Sequence, residues 1–314
     1  MPAGVLLTAK AEVSSTQGTA PTPPCFIFIW GKKDWFVASV GGAYLSLAGV
    51  SVTLNIANET RQTALLLATE PMTITQNTLD TLATFDSPTI CNVIELFEVR
   101  PRNTGYMDHR VQCNFPEFKP MVGFAATACF RSDAPPAGGD AYGSLQAQLA
   151  QFQELPGPAV VVFQDIDDPA VSAVFGEVMC STYQAYGSVG LVTNGGGRDL
   201  LQVKALGYNV FTGSTMVAHA YCHMLHLGLP VRVAGLMVNP CDLLHGDANG
   251  VTNIPLDIVD ELVDITPEFL AAEDIIMDYV KSAEEKTVEE FTRRRVEFQN
   301  LVATLRSRVS RASN

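Results

Sequence analysis

The sequence is short of positive charge, of paired cysteines and of any repeated unit. Its 314 residues carry 20 Lys and Arg against 33 Asp and Glu, a formal net charge of −13. A nucleic-acid binder needs a basic face to neutralise phosphates, so this balance argues against one. It disfavours anionic membrane surfaces for the same reason. The seven cysteines (Cys25, Cys91, Cys113, Cys129, Cys180, Cys222 and Cys241) are scattered, odd in number and form no CxxC pair. That excludes a disulfide framework or zinc knuckle and fits reduced thiols in a cytoplasmic protein, acting mostly as small buried hydrophobes. No self-similarity appears at solenoid periods. Hydrophobic residues at 47% still leave enough apolar material for a sizeable core. An anionic substrate would have to be drawn in locally, by a metal or an arginine.

The first seventy residues read differently from the rest. Residues 14–24, SSTQGTAPTPP, have the composition of a disordered linker. An uncharged run from Trp35 to Asn58 is long enough to span a bilayer, but Gly41, Gly42 and Gly49 interrupt it. Its second half alternates Val50, Val52, Leu54 and Ile56 with Ser51, Thr53 and Asn55, which favours a strand over a membrane anchor. The apolar region lies too far from Met1 for a cleavable signal peptide. We expect a soluble or poorly ordered extension over 1–71, with translation beginning at Met72 or the segment appended peripherally.

From Met72 two short helices are predicted, separated at Ser87-Pro88. Strands and helices then alternate: MVGFAATACF as strand, SLQAQLAQFQEL as helix, PGPAVVVFQDID as turn and strand. The segment AVFGEVMCSTYQAYG reads as a helix closed by Gly187, followed by the strand VGLVT and a glycine turn opening another helix. A charged helical tail is expected over 267–314, with Val288, Phe291, Phe298, Val302 and Leu305 on one stripe.

The strongest local feature is Thr193-Asn194-Gly195-Gly196-Gly197-Arg198-Asp199. Three glycines let successive N–H groups turn inward as an anion nest at a helix N-terminus, with Gly195 contributing to substrate binding. Arg198 offers a planar fork for a carboxylate, and Asp199 a hard oxygen ligand for Mg²⁺. On this motif alone, an Arg-Asp pair that merely caps the helix is an equally good reading. Upstream, Gly176-Glu177-Val178-Met179 precedes it, and twenty residues separate Glu177 from Arg198. A third cluster, His219-Ala220-Tyr221-Cys222-His223-Met224-Leu225-His226, hints at zinc but lacks the glutamate of an HExxH motif. Solvent or interface histidines are the first reading, and a substrate-facing loop the second.

Acid-x20-Arg-Asp, with the run Gly187-x-x-Gly190-x-x-Thr193-x-Gly195-x-x-Arg198-Asp199, resembles the RraA-like superfamily. VNPCDLLHGDANGVTNIP is similar to that family's V-x-P-G-D…D-x-x-G-V-x-x-P segment, and MVGFAATA to its G-x-A-x-T strand. The family includes 4-hydroxy-4-methyl-2-oxoglutarate aldolases, oxaloacetate decarboxylases and regulators of ribonuclease E activity. The resemblance implies an α/β fold of the swivelling β/β/α type in a catalytic domain over 72–266, assembled as a homotrimer or homohexamer. It implies that Asp199 ligates Mg²⁺ or Mn²⁺ and that Arg198 binds the keto or carboxylate oxygen. The N–H groups of Val178 and Met179 would hold the pyruvyl carboxylate, Glu177 would orient a catalytic water, and Glu273 would act in a neighbouring subunit's site. Cys241 stands where the family has Gly, at a turn expected to need a special backbone angle. Asn194 stands where many members have Asp.

The implied activity is a metal-dependent lyase releasing pyruvate from a 2-keto acid by aldol cleavage or β-decarboxylation. Both reactions leave charge on C3 of pyruvate, which a divalent cation and an arginine can spread. No lysine is placed for a Schiff base. The rival expectation is a non-catalytic regulator binding a ribonuclease or other protein. A methyltransferase finds no support, because the glycine turn leads to Arg-Asp and no acidic ribose-binding residue follows.

Overall fold

The computed structural model describes residues 26–30, 35–39, 44–47, 50–53, 74–137 and 144–312. The chain divides into two compact units, Met1–Pro71 and Met72–Asn314. In the first, β1 (Phe26–Trp30) pairs antiparallel with β2 (Trp35–Ser39), and β3 (Tyr44–Leu47) with β4 (Val50–Thr53). The alternation beginning at Val50 is therefore a strand, while its continuation at 54–56 and the linker 14–24 lie outside the described residues. No helix among the described residues is long and apolar enough to cross a membrane.

The second unit opens with α1 (Gln76–Leu82) and α2 (Ser87–Phe97). Thr75 Oγ1 accepts the Thr78 N–H and Asp86 Oδ1 the Thr89 N–H, so each helix has a side-chain cap. Ser87-Pro88 is the first turn of α2, where proline costs nothing. Next come β5 (Gln112–Cys113), β6 (Met121–Arg131), α3 (Leu145–Phe152), β7 (Ala159–Asp165) and β8 (Ala173–Phe175). They are followed by α4 (Glu177–Ala185), β9 (Ser188–Thr193), β10 (Gly196–Gly197), α5 (Leu200–Ala205), β11 (Asn209–Thr212) and β12 (Ser214–Thr215). The chain continues through β13 (His223–Leu225), β14 (Val231–Val233), β15 (Leu236–Val238), β16 (Leu243–Asp247) and β17 (Gly250–Ile254). Two long helices, α6 (Val259–Lys281) and α7 (Val288–Val309), complete it.

The main sheet runs β17-β16-β6-β7-β9-β11-β5, with β13 also pairing β6. Its centre, β6-β7-β9-β11, is parallel, and β5, β13, β16 and β17 join antiparallel. Alternation along β7 sends Val161 and Phe163 into a core with α3, α4 and α5, and Val160 and Val162 into a second core beneath β14 and β15. Both faces are covered, which is why these strands read as unbroken apolar runs. A third core joins Phe124 and Leu243 to α1, α2, α6 and the last turns of α7.

Three expectations change. Ala173–Phe175 is a strand and not the start of a helix; it pairs parallel with β10. The division at 266/267 falls inside α6, which runs through Pro267 because Leu262, Ile265 and Phe269 hold its apolar face on the third core. The stripe on α7 is buried only near its end, at Leu305, while Val288 is 77% exposed. The mixed α/β architecture and the helical C-terminus are as expected.

Candidate active site

The site forms where β8 and β10 run side by side, because that pairing brings together residues 22 and 23 positions apart in sequence. Gly196 pairs with Ala173 and Gly197 with Phe175, and the Arg198 N–H donates to the Phe175 carbonyl at 3.3 Å. Arg198-Asp199 is thereby set against Gly176, the extended N-cap of α4, which supplies no side-chain cap of its own. The Asp199 carboxylate does that work: its Oδ2 accepts the Glu177 N–H at 3.0 Å. A negative charge there is favoured by the helix dipole.

Gly176 is glycine for a steric reason. A Cβ on it would lie 2.6 Å from Asp199 Oδ2 and 3.0 Å from Arg198 Nε. Asp199 itself sits at φ 54°, ψ 35°, a left-handed conformation that a residue with a Cβ adopts at a cost. Arg198 Nε lies 4.0 Å from Asp199 Oδ2, with the two side chains 32% and 39% exposed, so both remain open to a ligand.

Beside this pair is a cavity of about 300 Å³, which Gly176, Val178, Met179, Arg198 and Asp199 help to line. Leu145, Val174, Thr182, His219 and Cys222 also line it, with β8 contributing Ala173 and Phe175. The structure thus brings together Val178, Met179, Arg198 and Asp199. Glu177 joins them through its N–H, but its exposed side chain is not part of the cavity wall. Glu273 is elsewhere, on α6, where burial first and then the nearby Asp86 and Asp274 raise its pKa.

The anion nest is not there. The Gly195 N–H donates to Thr193 Oγ1 at 2.9 Å, and Gly196 and Gly197 are strand residues between β8 and β12. The glycines permit close packing instead: a Cβ on Gly195 would lie 2.5 Å from Asp165 Oδ2, and one on Gly197 2.4 Å from the Phe175 ring. The histidine cluster is a turn leading into β13, with His219 Nδ1 against the Ala220 carbonyl at 2.9 Å and His223 Nδ1 against the Tyr221 carbonyl at 3.0 Å. No group of three or more His, Cys, Asp or Glu is arranged to hold a metal ion among the described residues.

The sequence reading missed Leu145 in the wall and Asp165 outside it, and for the histidine segment its second reading, a substrate-facing loop, is the one that agrees with His219 and Cys222 lining the cavity. Asp165 is 3% exposed at the end of β7 and is clamped by Asn194. The Asn194 amide oxygen accepts the Asp165 N–H, and its amide nitrogen donates to the Asp165 carbonyl, both at 2.8 Å. An aspartate at 194 could not make the second bond. Burial, partly countered by the Asp167 N–H and reinforced by the charges of Asp167 and Asp133, pushes the Asp165 carboxyl up to about 6.

A parallel sheet with a cavity beyond the carboxyl ends of its strands defines the class: an α/β protein with a candidate ligand site at the strand ends. The Aldolase/RraA family matches residues 88–252, and the chain belongs to this RraA-like family. A Halalkalibacterium halodurans protein, provisionally named a 4-hydroxy-4-methyl-2-oxoglutarate aldolase, is 31% identical over 113 residues. That match covers 36% of this chain and 53% of the relative, so the chain spans about half its length. Among solved structures, Streptomyces coelicolor RraAS2, described as an unusual member of the RNase ES inhibitor RraA family, has a TM-score of 0.52 at 21% identity. The likeness covers 64% of this chain and 95% of that one. An uncharacterized protein from Pseudomonas syringae pv. tomato gives 0.56 at 19% identity over 73% of this chain and 99% of its own. These structural likenesses concern the fold.

Proposed function

We propose that the protein is a cytoplasmic, divalent-metal-dependent lyase that releases pyruvate from a 2-keto acid by aldol cleavage or β-decarboxylation. The observation that carries this is the Asp199 carboxylate capping α4 beside Arg198 at the mouth of the cavity. The relative named as an aldolase supports it.

The residues fit Mg²⁺ or Mn²⁺. A single hard carboxylate, Asp199, with Glu177 nearby and an open cavity, suits ions that keep several waters and use one or two protein carboxylates. It does not suit zinc, which wants a compact cage of nitrogen and sulfur donors. When bound, the ion would supply Lewis-acid polarisation of the keto oxygen.

The chain's own groups do the rest. The N–H groups of Val178 and Met179, in the first turn of α4, receive the carboxylate of the pyruvyl moiety. The Arg198 guanidinium donates to the 2-keto oxygen and gains strength as negative charge develops there. For an aldol substrate, Glu177 holds the water that accepts the C4 hydroxyl proton as the C3–C4 bond breaks, and a proton returns to C3. Glu273 completes the site from a neighbouring subunit of a homotrimer or homohexamer.

The test is pyruvate release from a panel of 2-keto acids, oxaloacetate included, with and without Mg²⁺ or Mn²⁺. Metal-dependent release is expected; none from any substrate would leave the regulator of a ribonuclease or other protein as the better reading. Inactive Asp199→Asn and inactive Glu273→Gln chains, refolded together, should regain part of the activity. A fully active monomer would sink the shared site.

A further inference from the structure

Resting on the lyase reading, we infer that His219 is the group that returns the proton to C3 of pyruvate. That reading gives the C4 hydroxyl proton of an aldol substrate to water held by Glu177, and it leaves the C3 proton without a named donor. Aldol cleavage and β-decarboxylation both need this transfer.

His219 lines the same cavity as Arg198 and Asp199, and backbone pairing puts it there. The Met216 N–H donates to the Gly197 carbonyl at 3.0 Å, and the Ala218 carbonyl accepts the Ala173 N–H at 2.8 Å. Residues 216–218 are thereby tied to β10 and β8, the strands that lead into Arg198 and Gly176. The chain then turns, with the Cys222 N–H donating to the His219 carbonyl at 3.0 Å and Ala220 at φ 41°. The Ala220 carbonyl can only accept, so His219 Nδ1, 2.9 Å away, carries a hydrogen. Nε2 is therefore the ring atom that can gain or lose a proton while that bond stays intact.

Among the described residues, the other polar side chains of the wall are committed elsewhere. Arg198 does not release its proton, and Asp199 acts as a carboxylate towards the Glu177 N–H. Thr182 Oγ1 donates to the Val178 carbonyl at 2.7 Å, and Cys222 is buried within the core shared with α4 and α5. At about 300 Å³ the cavity is at the small end for ligand sites, so a bound keto acid meets most of its wall.

The step balances. Breaking C3–C4, or losing CO₂ from C3, leaves an electron pair on C3. Protonated Nε2 gives its proton to that pair, a C3–H bond forms, and the ring ends neutral with its Nδ1 hydrogen kept. Solvent restores the Nε2 proton, since His219 is exposed.

Run backwards, the same step takes a proton from the methyl group of pyruvate. The experiment follows exchange of those methyl protons in D₂O by proton NMR, using the full chain with Mg²⁺ as wild type, His219→Gln and His223→Gln. His223 belongs to the same segment but lies outside the cavity wall, with Nδ1 on the Tyr221 carbonyl. Exchange should fall about 100-fold or more in His219→Gln and stay within about twofold in His223→Gln. Calorimetric binding of oxalate, which has the shape and charge of the pyruvate enolate, should be unchanged in both. Less than about a tenfold loss in His219→Gln, an equal loss in His223→Gln, or oxalate binding lost in step with exchange overturns the inference. So does a wild type that releases pyruvate without exchanging its methyl protons. Pyruvate release measured alongside separates the two ideas. Release and exchange that both survive in His219→Gln defeat the inference and keep the lyase, whereas a wild type that does neither defeats both.

Discussion

The two ends of the central sheet are built on opposite terms. At the amino end of β6, alongside the last residues of β16, every buried polar side chain is matched. His245 is fully buried, with Nε2 donating to the Leu82 carbonyl at 3.1 Å and Nδ1 accepting from Ser87 Oγ at 2.9 Å. Asp247 accepts the Asn249 N–H at Oδ1 and caps α2 at Oδ2 through the Ser87 N–H, both at 2.8 Å. At the carboxyl ends of β6 and β7, the Ser132 hydroxyl and Asp165 Oδ2 are buried without a hydrogen-bond partner. One end spends its polar groups on holding α1 and α2 to the sheet. The other keeps unsatisfied polarity at its strand ends, a pattern expected where stability is given up for a site.

The comparison breaks most sharply if function and stability fail to separate. Arg198→Ala should lower kcat by roughly 100- to 1,000-fold, about 3–4 kcal/mol, because its bond strengthens as charge develops. Its melting temperature should stay within about 2 °C of wild type. An equal loss in KM alone would mean that Arg198 only binds.

At the opposite end, His245→Ala should cost about 3 kcal/mol in urea unfolding, from the cavity and from stranding Ser87 Oγ and the Leu82 carbonyl, and should leave kcat unchanged. Burial lowers the His245 pKa, so the folded chain resists protonation that the unfolded chain accepts. Its contribution to stability is present above about 6.5 and lost as pH falls below that value. The Ala variant should lack that component.

Asp165 carries the opposite sign. Its folded pKa, about 6, is raised above the unfolded value of roughly 3.9, so the penalty is absent well below 3.9, grows between those two values and is complete above 6. Asp165→Asn should therefore gain about 1–2 kcal/mol relative to wild type at pH 7.5, shrinking to about a third of that at pH 4.5. Urea melts at the two pH values decide it; a gain independent of pH would place the effect elsewhere.

The smallest effect is expected at Cys241, whose φ of 67° is the special angle anticipated where the family has Gly. Cys241→Gly should stabilise by about 0.5–1 kcal/mol, the relief of the left-handed strain less the extra freedom of the unfolded chain. A destabilised variant would show that the side chain's contacts outweigh the strain.

Much of this was legible because it rests on local rules. Buried parallel strands show as apolar runs, Gly187 closes α4 at φ 90°, and the Gly176-Glu177…Arg198-Asp199 spacing survives as one site. The glycine turn was misread because its geometry is decided by a distant partner. Only with Ala173–Phe175 in place as β8 do Gly196 and Gly197 become a strand, and Ala-Val-Phe before a helix gives no local sign of it. The tail expected to begin at 267 starts instead inside α6, which runs through Pro267 because its apolar face is packed on the third core. Asn194 looked like a departure from a family aspartate, whereas both ends of its amide are in use.

Among the described residues, six other than glycine hold left-handed backbone: Glu98, Asp199, Ala220, His226, Ala234 and Cys241. An engineer seeking a more heat-tolerant chain can treat five of them as open positions, where glycine removes the Cβ that causes the difficulty. The sixth allows no such repair. At Asp199 the group that makes the conformation costly is attached to the carboxylate that caps α4, so the usual remedy would delete the site with the strain. Stabilising designs for this scaffold therefore have a fixed point, and a library that varies left-handed positions should hold Asp199 constant while it explores the rest.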